Sequence, residues 1–274
     1  MDERPSMYGS DAFSPAEIAD RVERVGVVKA RLPFAKLFLL GVLAGAFIGL
    51  GALFFTLVMS DASLGYAASR VLGGVAFSLG LILVSVAGAE LFTGNNLLAM
   101  AWADGRISTR EVLRNWAVVC AANFIGAAGL AVLVHLSGHA GSNGGAVGAQ
   151  YVKLAAMKCT IPFWKAFFSG MLCNVLVCLA VWMSFAGRSV TDKVLAIVFP
   201  IAAFVAAGFE HSVANMYVIP MGLLLAHDDP ALTNGADLHP MGLFHNLVPV
   251  ILGNLAGGSG FVALVYHLIY TRRG

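Results

Sequence analysis

Two short polar interruptions in otherwise apolar sequence hold the side chains best suited to chemistry. The first reads Gly88-Ala89-Glu90-Leu91-Phe92-Thr93-Gly94-Asn95-Asn96, and the second Gly208-Phe209-Glu210-His211-Ser212-Val213-Ala214-Asn215. A carboxylate at membrane depth costs roughly 3 to more than 10 kcal/mol depending on the reference state, so Glu90 and Glu210 must be neutralised, paired or hydrogen-bonded. As acceptors for N–H groups freed at the interruptions, with Asn95 and Asn215 following at equal spacing, they are expected to hold the two loops in shape. An imidazole donates, accepts or titrates near neutral pH. His211 therefore reads either as a site residue or as a core histidine bridging backbone groups. The Thr93 hydroxyl, at the matching level of the first interruption, either meets a ligand anion or caps the helix that follows. Lys158, in Met157-Lys158-Cys159-Thr160, reads by itself as a surface lysine of an outer loop. Asn174, inside an apolar run, is either an interhelical amide or a site residue.

The elements that position these groups must lie in a bilayer. The chain has 274 residues, 59% hydrophobic and 12% charged, with a mean hydropathy of +0.82; a soluble domain carries about 25% charge. A net charge of +2 without a basic stripe excludes a nucleic-acid partner. Cys120, Cys159, Cys173 and Cys178 have no metal or redox spacing, so neither a disulfide framework nor a metal site is implied. One buried histidine and two glutamates supply no ligand set and no activated nucleophile, so neither an enzyme nor a cofactor is indicated.

Apolar runs long enough to cross about 30 Å of hydrocarbon lie near Phe34 to Met59, Trp116 to Leu136, Phe163 to Phe185 and Phe244 to Tyr270. Two more, Val71 to Ala87 and Val194 to Phe209, end in the polar interruptions and are followed by short apolar stubs, Leu97 to Trp102 and Met216 to Leu225. These read as broken helices, since irregular backbone at membrane depth survives only where protein or a wet cavity satisfies it. The expected class is an all-α membrane protein with six transmembrane helices. Residues 1–33 form an expected cytoplasmic N-terminal segment without a signal-type apolar core. Ser14-Pro15-Ala16-Glu17 reads as a capping box opening an amphipathic helix, either on the membrane surface or simply solvated. Placing both termini in the cytoplasm leaves only Arg70, Lys153, Lys158 and Lys165 of the cationic residues outside, and the loop from Ala226 to Leu243 carries Asp228, Asp229 and Asp237 without Lys or Arg.

The two halves repeat. Phe34, Lys36, Phe38, Gly41 and Leu43 return as Phe163, Lys165, Phe167, Gly170 and Leu172; Gly88, Glu90 and Asn95 return as Gly208, Glu210 and Asn215; Asn115, Asn123 and Gly126 return as Asn246, Asn254 and Gly257. The offsets are 129, 120 and 131 residues. Three spans per repeat force the second copy to enter from the opposite side, so the expected fold is an inverted three-plus-three repeat with broken helices 2 and 5. Repeat 1 covers about 34–136 and repeat 2 about 163–271.

With these residues in view, the chain resembles the formate/nitrite transporter family over roughly residues 30–273. Glu90-Leu91-Phe92-Thr93-Gly94-Asn95, Val181-Trp182-Met183-Ser184 with Gly187-Arg188-Ser189, and Gly208-Phe209-Glu210-His211-Ser212-Val213-Ala214-Asn215-Met216 are similar to its signatures. The resemblance implies an aquaporin-like protomer, a homopentamer with one pore per protomer, and a bacterial or archaeal cytoplasmic membrane. It further implies a central histidine at His211 with Asn174 as partner, a loop threonine at Thr93, a vestibule lysine at Lys158, and constrictions at Phe77, Leu81, Leu91, Phe92, Val177 and Phe204. Thr93-Gly94-Asn95 looks like nitrite and hydrosulfide members, whereas the second break and the Gly187-Arg188-Ser189 segment look like formate members.

The expected function is passage of small monovalent anions, formate first, with nitrite or hydrosulfide as alternatives. Lys158 and the half-helix ends would attract the anion; His211, oriented by Asn174, would supply a hydrogen bond or proton; apolar rings at Phe204 and at Leu91 and Phe92 would bar bare charge. Partners are then the anion, protons and lipid. The alternative of another class is an aquaporin-like neutral-solute channel, although neither break carries the Asn-Pro-Ala tripeptide.

Overall fold

The computed structural model describes residues 11–236 and 238–270. The predicted positions of Arg4, Arg272 and Arg273, and of Asp237, lie outside them. Helix α1 (Pro15–Ala30) is followed by α2 (Phe34–Met59) and α3 (Tyr66–Ile82), which widens into a π-helical turn, Leu83–Gly88. After the first break come α4 (Leu98–Ala103), α5 (Thr109–Leu136) and α6 (Ala146–Cys159). The second half holds α7 (Phe163–Ser184), α8 (Val190–Ala207), α9 (Ser212–Asp228) and α10 (Pro240–Leu255), which runs through a π-helical stretch into α11 (Val265–Tyr270).

Six helical stretches among the described residues are long and apolar enough to span a bilayer: Phe34–Met59, Tyr66–Gly88, Thr109–Leu136, Phe163–Ser184, Val190–Ala207 and Pro240–Tyr270. This is a multi-pass membrane protein. The third span begins earlier than its apolar run because a Ser108–Glu111 capping box starts the helix in polar sequence. The second stub is likewise longer than expected, a full helix from Ser212. A further helix, α6, joins the repeats. Large apolar residues such as Leu39, Leu113, Phe199 and Phe261 point outward, Phe199 being 74% exposed, as hydrocarbon contact demands.

Within each repeat the first and third spans meet closely. An added Cβ at Gly126 would overlap the carbonyl of Val42, and one at Gly257 the carbonyl of Met171, the repeat mate of Val42. Only glycine admits that approach. Both breaks open on a left-handed glycine, Gly88 at φ +88° and Gly208 at φ +77°, a backbone that side chains beyond glycine disfavour.

Ser14 and Glu17 form the expected capping box of α1. Hydrogen bonds from the Ser14 backbone N–H and hydroxyl hold the Glu17 carboxyl below its ordinary pKa. The apolar face of α1 docks on the protein, while Ala16, Glu17 and Arg24 on its other face stay exposed. Ile18, Ala19 and Val22 are buried in a cluster with Leu97, Met100 and Trp182. The buried Glu23 carboxylate meets Arg106 at 3.0 Å.

Candidate functional site

Two cavities approach each other from opposite ends of the bundle. One, of about 500 Å³, is lined by Lys29, Leu81, Glu90, Leu91, Gly94 and Asn95 among others. The second, of about 400 Å³, is lined by Arg70, Phe77, Lys158, Phe204, Glu210 and His211 among others. Where the breaks meet, Thr93 Oγ1 lies 3.1 Å from His211 Nε2, and both side chains are buried.

The tautomer of His211 follows from its other nitrogen. Nδ1 accepts the Ala214 backbone N–H at 3.1 Å and so caps α9. A backbone amide cannot accept, so Nδ1 is unprotonated and the ring proton sits on Nε2. Nε2–H then donates to Thr93 Oγ1, which leaves the Thr93 hydroxyl proton free for a third group. A second proton on His211 requires breaking the cap.

Each break is stapled by the same set of groups. Glu90 Oε2 accepts from Asn95 Nδ2 at 2.7 Å, and its other oxygen faces Lys29 Nζ at 3.2 Å. Glu210 Oε2 accepts from Asn215 Nδ2 at 2.7 Å, and its other oxygen accepts from Lys158 Nζ at 2.8 Å. Asn95 and Asn215 donate onward to Asn115 Oδ1 at 2.9 Å and Asn246 Oδ1 at 2.7 Å. These last two amides return bonds to the backbone carbonyls of Lys29 and Lys158. Deeper in, Asn123 accepts the Phe92 N–H and donates to the carbonyls of Gly41 and Glu90. Its mate Asn254 accepts the Ser212 N–H and donates to the carbonyls of Gly170 and Glu210. Backbone groups left unpaired by both breaks, the Phe92 and Ser212 N–H and the Glu90 and Glu210 carbonyls among them, are thereby satisfied within the protein.

A family model described as Formate/nitrite transporter matches residues 16–268. The chain belongs to the formate/nitrite transporter family. It is 40% identical over 262 residues, 91% of this chain and 92% of the relative, to Formate channel FocA of Haemophilus influenzae. It is 39% identical over 273 residues, 96% of each chain, to Formate channel FocA of Escherichia coli strain K12. Among solved structures it is similar to one described as a pentameric formate channel with formate bound, with a TM-score of 0.81 and 40% identity, covering 87% of this chain and 98% of the other.

Within this formate/nitrite transporter, several sequence expectations need correction. Asn174 does not partner His211. Its amide donates to Thr93 O, Asn96 Oδ1 and Asn254 O at 3.2, 2.8 and 2.7 Å, so it fastens the first break to α10 instead. Lys158 is no surface lysine: it ends α6, its side chain is 17% exposed, and it is bound to Glu210. The glutamates accept from asparagine amides and lysines, where backbone N–H groups were expected. Of the apolar set, Phe77 and Phe204 line the Lys158 cavity and pack edge to face at 5.7 Å, with Phe204 stacked on the His211 ring. Leu81 and Leu91 line the Lys29 cavity. Phe92 and Val177 are buried in the same core cluster but line neither cavity.

Lys29, whose ammonium meets Glu90 and Asn95 at the first break, was not among the sequence candidates, since it precedes the first span and counted only toward topology. Its offset from Lys158 is the same 129 residues that relates α2 to α7, and that was the available signal.

Proposed function

We propose that this protein carries small monovalent anions across a bacterial or archaeal cytoplasmic membrane, with formate as the first substrate and nitrite and hydrosulfide as the alternatives. The observation that carries the reading is the Thr93–His211 pair, buried between two cavities that are each lined by a lysine. The family membership and the FocA relatives support a channel rather than an enzyme.

Bare charge leaves water at the Phe77–Phe204 constriction only at a cost of several kcal/mol or more. A neutral acid crosses far more easily. The carboxylate therefore picks up its proton before or at the constriction and passes as the acid. His211 acts as a fixed hydrogen-bonding group, because a second ring proton would break the α9 cap. The Thr93 hydroxyl, whose oxygen already takes the Nε2–H, directs its own proton to the permeant. Protons are thus the second species carried.

The charge distribution supports both termini in the cytoplasm, which puts the Lys158 cavity outside and the Lys29 cavity inside. The likeness to a pentameric channel supports a homopentamer in lipid, each protomer with its own pore. Residues 1–33 form a cytoplasmic segment preceding the transmembrane domain at 34–271. Uptake of formate, nitrite and hydrosulfide, measured side by side in proteoliposomes at acidic and neutral pH, tests the substrate. Formate uptake that rises in acid supports the reading; uptake of nitrite or hydrosulfide alone moves the protein to another branch, and passage of neutral solutes alone overturns it.

A further inference from the structure

We propose that Arg70 is the anion-capturing residue of the Lys158 cavity, its guanidinium holding a small monocarboxylate-type anion before it reaches the Phe77–Phe204 constriction. The proposal rests on the functional reading above and adds a residue to it.

Four ionic side chains line this cavity: Arg70, Lys158, Lys165 and Glu210. Lys158 and Glu210 are bound to each other at 2.8 Å, and the same carboxylate also takes the amides of Asn215 and Asn246. That pair is electrically neutral, and it belongs to the set of bonds copied around Glu90 in the other repeat. A group of this kind is scaffold for the break, and its outward field is that of a dipole. Lys165 is exposed at the rim, where water hydrates its compact ammonium.

Arg70 differs on each count. It is half-buried, its Nε is buried without a hydrogen-bond partner, and no carboxylate among the described residues forms an ion pair with it. The guanidinium lies over the Tyr66 ring at 5.6 Å. It also stands beside Gly208, where an added Cβ would sit 3.8 Å from Nη2. Gly208 ends α8, so the negative end of that helix dipole, about half a charge, steadies the cation without engaging its donors. A planar fork with free N–H groups in a concave wall matches a carboxylate edge-on, which a lysine cannot do. The repeat gives independent support. The 120-residue offset that relates the two breaks puts Val190 opposite Arg70, so this cation is no part of the duplicated scaffold.

The test compares full-length wild type with Arg70→Gln and Arg70→Lys in proteoliposomes, reading formate flux against formate concentration at low and high salt. Arg70→Gln is expected to raise the half-saturating concentration about tenfold, the equivalent of one lost charge-assisted hydrogen bond, with maximal flux little changed. Its flux should also lose most of its salt sensitivity. Arg70→Lys should fall between, keeping the charge without the fork. Half-saturation unchanged in Arg70→Gln, while wild type carries formate, overturns the role of Arg70 and leaves the formate reading standing. Absence of formate flux in wild type overturns both. If Arg70→Gln does not assemble, phenylglyoxal labelling of Arg70 in wild type decides: slower labelling in the presence of formate supports capture, and an unchanged rate refutes it.

Discussion

Thr93 Oγ1 and His211 Nε2 lie 3.1 Å apart, one from each break, so a buried polar contact joins the two repeats. Neither loop alone could hold this geometry. Thr93 is kept in place through its carbonyl, which accepts from Asn174 and from the Cys178 thiol, and His211 through its cap on α9.

Thr93→Val keeps the volume and removes the hydroxyl. Formate flux should fall about tenfold, the loss of one buried hydrogen bond on the permeant path, while Thr93→Ser retains most of it. Flux assays on oligomer-matched samples check this, and equal flux in Val and wild type would contradict a hydroxyl role.

The Lys158–Glu210 pair ties the end of α6 to the second break, and such a pair has a signature in stability. Lys158→Met alone strands a buried carboxylate and should destabilise by about 3–5 kcal/mol. Adding Glu210→Gln removes that charge while the new amide still accepts from Asn215, so the double variant should melt above the single one. Thermal denaturation in detergent measures both; a double variant no more stable than Lys158→Met would argue against pairing.

Gly257→Ala pushes a methyl into the Met171 carbonyl and should destabilise by about 1–3 kcal/mol through forced helix separation. Gly260→Ala, where an added Cβ meets nothing within 4 Å, is the matched control and should leave the melting temperature unchanged.

At Glu17 the folded-state pKa is lowered, chiefly by the Ser14 backbone N–H and then by the Ser14 hydroxyl. Its contribution to α1 is therefore present above the unfolded-state value and is lost as pH falls through the folded one. Hydrogen exchange of the first turn of α1 should quicken on acidification below the ordinary carboxylate range. Glu17→Gln should flatten that dependence, and an identical pH response in the variant would contradict it.

Much of this architecture is legible in the chain because duplication repeats it. The spacing of Glu90 and Asn95 against Glu210 and Asn215 marks both breaks, and the Asn115–Asn123–Gly126 set against Asn246–Asn254–Gly257 marks the packed spans. What those amides bind is not legible, because partners depend on which helices touch. Asn174 illustrates this: its place in α7 is plain from the apolar run, yet its three acceptors come from the first break and α10. Lys158 reads as exposed because α6, which folds it back onto Glu210, has too little apolar sequence to count as a span. Lys29 hides among topological charges for the same reason: burial there is made by tertiary docking of α1.

The most direct test is formate uptake by proteoliposomes carrying wild type and His211→Asn. Asparagine is a good N-cap, so it keeps the role of Nδ1 for Ala214 while its shorter side chain surrenders the Nε2 contact with Thr93. The account predicts an assembled protein whose formate uptake is reduced about tenfold or more. Wild-type uptake in that variant would contradict it.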